Sequence, residues 1–434
     1  MKKIALSLAG VLAAATFAPE ASAIPAFARQ TGMACFACHA QHFPVLNGFG
    51  RAFKAAGYTM IGAQGKVEGD HLSIPDTLNA SFLLKIRYQK DNTTGAAGGG
   101  TTAATNLGNG RWEFGDETSL FFGGRVAENI GFLFEGNVLG SGPNAANGNG
   151  LLASFKIPFA FDMGTAKLSV IPFATDAASV QFGYELSSGG VLRSNRWAEQ
   201  RNSISAVQYN ADRGADAGAA TGIAFVAQND FGFINLSKWS PSFMPGGNGQ
   251  AISSTKLSNN YVRVAATPTV ANWAMLFGAG SMSGSSYSNV ALAEVESRQT
   301  FFDFQAQGEV GGKELGVYAQ HAKAPAGQGK ANAYNTAANI CAVGAVCNPD
   351  RKATTIGADY SVVPHVLSIG ASYRNAKNGG LATVNGDNAV TLTAVYDLYQ
   401  NVALHMNHSQ YSGSSRNAAG AQKRLTTFML EAAW

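Results

Sequence analysis

Beyond residue 75 the chain alternates between apolar and polar positions. Phe82, Leu84, Ile86 and Tyr88 are interleaved with Lys85, Arg87 and Gln89. Ile356, Ala358, Tyr360 and Val362 alternate with Gly357, Asp359 and Ser361, and Leu367, Ile369, Ala371 and Tyr373 with Ser368, Gly370, Ser372 and Arg374. Val390, Leu392, Ala394, Tyr396 and Leu398 repeat the pattern against Thr391, Thr393 and Asp397. A period of two with one apolar and one polar face predicts strands that separate two environments.

The connections alternate as well. Short turns fall near Glu128-Asn129, Met163-Gly164, Asn229-Asp230, Pro268-Thr269, Gly311-Gly312, Pro364 and Gln400-Asn401. Between them lie longer Gly/Asn/Ser/Ala stretches near 91–110, 140–150, 174–218, 241–257, 281–292, 323–350, 375–387 and 411–421. These connections predict 16 strands, and roughly 360 residues leave about 22 for each strand with its connection, which suits spans of about 9–11 residues. The last residues, Phe428 to Trp434, alternate and end on an aromatic, as in many outer-membrane barrels. A soluble propeller would repeat a blade motif, and none is found. The predicted fold is all-β: a 16-stranded transmembrane β-barrel over 76–434, preceded by a small helical segment. The longest stretch, 174–218, carries Arg193, Arg196, Trp197 and Arg201. It reads equally as a segment folded inward to narrow the lumen or as a surface loop.

Composition agrees. Hydrophobic residues make up 46% and charged residues 13%, and 51 glycines and 26 phenylalanines accompany only 13 prolines. That glycine content disfavours a helical bundle, and the proline content excludes collagen. A net charge of +4 with no basic tract argues against nucleic acid as a partner.

The N-terminus is a different kind of segment. Lys2 and Lys3 precede an uncharged run from Ile4 to Ala18, and Ala21-Ser22-Ala23 supplies a small-x-small cleavage pattern. Residues 1–23 therefore read as a cleaved export signal, too short to span a bilayer. Outside the cytoplasm, Cys341 and Cys347 read as a disulfide closing a surface loop.

Cys35-Phe36-Ala37-Cys38-His39 is C-x-x-C-H, the attachment pattern of haem c. Two thiols one helical turn apart can each bond a vinyl group of one haem, and the next histidine then ligates the iron. A redox dithiol would not need His39, and a zinc site would need a second ligand pair. The following residues predict a short helix with Pro44 in its first turn, Leu46, Phe49 and Phe53 on one face and Gly57 as its C-terminal cap. That face would cover a haem or pack on a barrel wall. Residues 24–75 thus form a candidate monohaem segment, for which the haem would serve as core. Its distal ligand is open. His42 and Met33 lie close to the attachment turn on its own side, whereas Met60, past the helix, reads as the ligand, with His71 as the alternative that would lower the potential.

The stretch Ala28-Arg29-Gln30-Thr31-Gly32-Met33-Ala34 before the motif, followed by Phe49-Gly50-Arg51-Ala52-Phe53-Lys54 and Gly57-Tyr58, resembles the N-terminal segment of the fused monohaem cytochrome–porins of the outer membrane, best known from iron-oxidising bacteria. The similarity covers residues 28–58. It implies a haem domain at the mouth or inside of a barrel in the Gram-negative outer membrane, taking electrons from extracellular Fe(II). Met60 matches no motif position of that family.

These readings converge on electron transfer from an extracellular one-electron donor, through a single haem c held by Cys35, Cys38 and His39, to a soluble periplasmic cytochrome. The rival is a nutrient porin whose haem segment is structural or sensory. A peroxidase would need an acid–base residue, for which His71 is the nearby candidate. Asp303, Glu309, Asp359 and Asp397 are expected to face the lumen, where charge is ordinary, and are not read as an iron site.

Overall fold

The computed structural model describes residues 25–41, 45–62, 64–70, 72–93, 107–138, 152–176, 178–187, 219–243, 256–288, 292–335, 340–341 and 350–434. The export signal, His42, Pro44, His71, Cys347 with its predicted disulfide, and Arg193, Arg196, Trp197 and Arg201 lie outside the described residues.

Sixteen antiparallel staves form a closed barrel. They are β1 (Ala80–Asp91), β2 (Arg111–Ala127), β3 (Ile130–Asn137), β4 (Leu152–Lys156 continued by Phe159–Asp162), β5 (Lys167–Thr175), β6 (Ala220–Asn229), β7 (Gly232–Ser240) and β8 (Asn259–Ala266 continued by Thr269–Val270). The circuit continues through β9 (Trp273–Ser283), β10 (Gln299–Val310), β11 (Lys313–Ala324), β12 (Arg351–Val363), β13 (Leu367–Asn378), β14 (Asn388–Tyr399), β15 (Val402–Ser412) and β16 (Arg424–Ala433). The seam pairs β16 with β1 from Leu425↔Asp91 to Ala433↔Leu83. Trp434 fastens it, exchanging both backbone hydrogen bonds with Phe82 (2.8 and 3.0 Å). Closure leaves no unpaired edge, which is what a sheet needs within lipid.

All seven short turns fall at one end of the barrel and all eight long connections at the other. One turn is displaced. The β8–β9 reversal is not at Pro268-Thr269 but at Ala271-Asn272, both at positive φ (48° and 68°). Proline lacks an N–H but keeps its carbonyl, and Pro268 O still accepts from Met275 N at 2.9 Å, so β8 runs through the proline to a turn of the hairpin-favoured hand.

The alternation sorts as the sequence implies. Lys85, Arg87, Gln89 and Asp91 of β1 face the lumen and are buried, while large apolar side chains such as Phe225, Ile234, Leu236, Phe302, Ile356, Leu392 and Phe428 face outward and exposed. Asp303 and Asp359 are buried in the lumen, Asp397 is half-buried and Glu309 is exposed near the short-turn end.

Before the barrel, the described residues form three short helices: α1 (Pro25–Thr31), α2 (Cys35–Cys38) and α3 (Gly48–Ala55). A small hairpin (Lys66–Gly69 with Leu72–Pro75) leads into β1.

Candidate haem-attachment site

Residues 25–62 sit in the barrel at its short-turn end, and their contacts run around its wall. Arg29 donates to Ala80 O at the start of β1, Arg125 of β2 donates to Thr59 O (3.4 Å), and Gly57 packs against Pro158 and Ala160 of β4. Gln228 of β6 donates to Ala55 O (2.8 Å), and Arg51 donates to Gln307 of β10. Gln41 N donates to Glu314 of β11 (2.8 Å), and Ser368 of β13 donates to Gln41 O (3.1 Å). The segment is a plug.

Within it, α1 is the spine. Gln30, fully buried, donates to both Tyr58 O (2.6 Å) and Met60 O (2.8 Å). Phe27 stacks on Tyr58 (centroids 4.9 Å) and meets Phe53 edge-on at 5.3 Å. The third helix begins later than the sequence pattern predicts. Asn47 caps it, accepting from Gly50 N at 2.9 Å, so Leu46 lies before the helix. Its buried face is Gly50, Arg51 and Phe53, whereas Phe49 is 40% exposed. The predicted cap at Gly57 is present (φ 73°). Gly57 N bonds Lys54 O, Tyr58 N bonds Phe53 O, and the rings of Phe53 and Tyr58 are 5.7 Å apart, which makes a Schellman ending with its apolar contact.

The C-x-x-C-H residues occupy the single turn of α2, closed by His39 N donating to Cys35 O (2.9 Å). Two barrel turns hold it. Gln400, in the β14–β15 turn, accepts from Cys35 N (3.3 Å), and His365, in the β12–β13 turn, lies 4.5 Å from the Phe36 ring. Both thiols are free. Burial pushes the Cys35 thiol up to about 12, helped by the Asp397 carboxylate, and burial also raises Cys38. This burial disfavours the thiolate that redox attack needs. A thioether carries no charge, so the same burial does not oppose covalent haem attachment. Among the described residues no group of three or more His, Cys, Asp or Glu side chains is gathered to hold an ion. The donor set, two thiols on one turn followed by an imidazole, is of the kind haem c takes. Met60 follows α3 and is fixed through its carbonyl by Gln30.

Gly50 explains part of the Phe49–Lys54 string. A Cβ there would stand 2.2 Å from Cys38 O, so α3 approaches the attachment turn as only glycine allows. Gly50→Ala is expected to force α3 off α2 at a cost of about 1–3 kcal/mol. Limited proteolysis checks this: cleavage within residues 25–62 should accelerate while the barrel stays resistant.

A second element enters the lumen from the long-loop end. Residues 178–187, within the long 174–218 stretch, fold inward. Glu185 there meets Arg263 of β8 (Nε–Oε2 2.9 Å), and Arg263 also holds Asp303 of β10 in a forked pair (2.5 and 2.9 Å). Glu185 further accepts from Leu186 N and Ser187 N, and Arg263 lies over the rings of Phe301 and Phe233 at 5.3 and 5.8 Å. Around this ion cluster the wall from β5 to β13 turns apolar residues inward, among them Phe173, Trp239, Tyr261 and Phe301, which pack with Val180, Tyr184 and Leu186. Tyr184 donates to Gln228, the side chain that also holds Ala55, so this segment and the plug meet on one residue. Lys54 reports the same proximity: burial lowers its ammonium and the Glu185 carboxylate opposes that shift.

The described structure is similar to the outer membrane channel DcaP of Acinetobacter baumannii, with a TM-score of 0.52 and 10% identity over 82% of this chain and 97% of that one. The fold is that of an outer-membrane porin. Other similar structures include an anion-selective porin from Comamonas acidovorans (TM-score 0.47, 13% identity, 82% and 99% of the two chains) and OmpT of Vibrio cholerae (0.44, 12%, 82% and 99%). No family model matches the chain, and no curated protein matches it in sequence. The barrel lies in the outer membrane, with its outward apolar band toward lipid.

Proposed function

We propose that this barrel carries electrons across the outer membrane, from extracellular Fe(II) through a single haem c on the plug to a soluble periplasmic cytochrome. The observation that carries this reading is the placement of the C-x-x-C-H turn: it is held inside the short-turn end of a porin-type barrel by Gln400 and His365. Short turns face the periplasm in barrels of this type, so on this reading the turn lies on the side from which a soluble acceptor would approach. Cys35 and Cys38 would fix the group covalently and His39 would be its proximal axial ligand. Bound there, haem c supplies one-electron redox chemistry, matched to a donor that gives up one electron. Phe36 and Phe49, 43% and 40% exposed beside the turn, leave apolar surface that a porphyrin would cover. The apolar packing between β5 and β13 weighs against free solute passage through that half of the lumen.

For the distal position, Met60 is the proposed ligand and His71 the rival. Stopped-flow mixing with excess Fe(II) near neutral pH tests both the function and the ligand. Wild type should become reduced. Met60→Ala should be reduced more slowly and at a lower potential, because a thioether raises the potential relative to a second histidine. His71→Ala should behave as wild type. A haem that stays oxidised under Fe(II) removes the iron reading, and a spectrum altered only in His71→Ala reassigns the ligand.

The second reading, a diffusion porin with a structural haem segment, is favoured by the likeness to the DcaP channel. Planar-bilayer recording separates the two: steady conductance of small solutes supports the porin, and a closed barrel that still reduces its haem supports the conduit.

A further inference from the structure

The outer face of β11, β12 and β13 carries three lysines in one cross-strand row. Lys323 is directly opposite Lys352, and Lys352 directly opposite Lys377. All three point outward and are exposed. Direct neighbours on adjacent antiparallel strands stand about 4.5–5.5 Å apart at Cβ, and like charges so placed repel. Asp350 lies 2.7 Å from Lys323 Nζ and offsets one charge, so three lysines less one carboxylate leave a net of two positive charges.

The row has a defined depth. Immediately below it is a polar row, His321, Thr354 and Asn375, in which His321 and Thr354 are hydrogen-bonded at 2.8 Å. Below that come Ala319, Ile356 and Tyr373, then Val317, Ala358 and Ala371, then Leu315, Tyr360 and Ile369. The next outward cation on β11 is Lys313, beside the short turn. From Lys323 to Lys313 the strand runs about 34 Å, or about 26 Å along the barrel axis at a tilt of about 40°, the height of a barrel's apolar band. The lysine row therefore stands at the headgroup level of the long-loop side, which is the outer leaflet. Single cations at that level, such as Lys90 on β1, are ordinary anchors. Three in direct register on adjacent strands form a site for a polyanion.

We infer that Lys323, Lys352 and Lys377 bind the phosphates of an outer-leaflet glycolipid headgroup. The ligand is committed to a lipid source because the row faces the bilayer, directly above lipid-facing side chains.

The test uses the full-length protein in detergent, stripped of lipid, with three probes: bis-phosphorylated lipid A, the same glycolipid with its phosphates removed, and inorganic phosphate. Binding is read by retained lipid and by the shift of the heat-unfolding midpoint. Wild type should bind bis-phosphorylated lipid A about a hundredfold more tightly than the triple variant Lys323→Gln, Lys352→Gln, Lys377→Gln, since each lysine near an anionic surface is worth about fivefold. Lys352→Gln alone should lose about fivefold, which keeps the test available if the triple variant folds poorly, and Lys90→Gln should match wild type. Equal binding by the triple variant and wild type, or equal binding of the dephosphorylated glycolipid by wild type, overturns the assignment. Inorganic phosphate binding as tightly as the lipid would also overturn it, because the row would then be a free-anion site.

Discussion

Replacing both Cys35 and Cys38 by alanine will strip covalent haem from the protein and leave the barrel intact. The two thiols are free and belong to a single turn whose hold on the wall runs through other groups: the Cys35 backbone N–H to Gln400, and the Phe36 ring against His365. Alanine keeps that backbone donor and favours the helical turn. The predicted loss is therefore chemical rather than structural. Each single substitution leaves one thioether, so haem should stay attached through the remaining bond. The double variant should show no haem stain after heating and separation on a denaturing gel, while the unheated sample keeps the compact mobility of a folded barrel. His39→Ala is the complementary variant: the haem remains covalent, but its absorption spectrum changes because the proximal nitrogen is gone. Stain surviving in the double variant would mean that the attachment reading of this turn is wrong.

The barrel was legible in the sequence because each stave separates two environments, and a strand must then write that separation at every second residue. On β1 the lumen-facing Lys85, Arg87 and Gln89 and the intervening apolar positions are all readable in advance. The one misplaced turn, at Pro268, shows the limit of reading proline as a stop: its missing N–H matters less than the carbonyl it retains. In the plug, the capping glycine was legible because Gly57 serves a local need of α3. The start of α3 was not, because it is set by the side-chain cap of Asn47, which apolar spacing does not register. The roles of Gln30 and Arg51 were also hidden. Each meets a carbonyl or amide supplied by a distant segment, such as Met60 O for Gln30 and Gln307 for Arg51. The least legible feature is the inward fold of residues 178–187. Glu185 reads as one more loop carboxylate until the barrel closes and brings Arg263 and Asp303 beside it. A trace was present in the aromatic residues at lumen-facing positions of β5, β7, β8 and β10, where a water-filled pore would call for polar ones.

Arg263→Ala will be among the most destabilising single changes in this protein, at about 3–5 kcal/mol. The guanidinium is fully buried, and the carboxylates of Glu185 and Asp303 that it joins are buried with it. Truncation removes one positive charge and leaves two negative charges close together with little solvent to screen them. Glu185 keeps its two backbone donors, Leu186 N and Ser187 N, so it has partial support, whereas Asp303 loses both arms of its forked pair. The missing side chain also removes the packing of the guanidinium on the rings of Phe233 and Phe301. Replacing the whole cluster should cost far less than breaking it. A buried ion group exchanged for apolar residues of similar volume is often neutral or stabilising. The triple variant Arg263→Met, Glu185→Leu, Asp303→Leu should therefore unfold closer to wild type than Arg263→Ala does. Urea unfolding in lipid vesicles, followed by the mobility shift of the folded barrel, measures all three proteins on one scale. If Arg263→Ala lost less than about 1 kcal/mol, the cluster would be solvated in the membrane, and the inward segment would not depend on it. If the triple variant were the least stable of the three, the ion cluster would be a net source of stability in its own right.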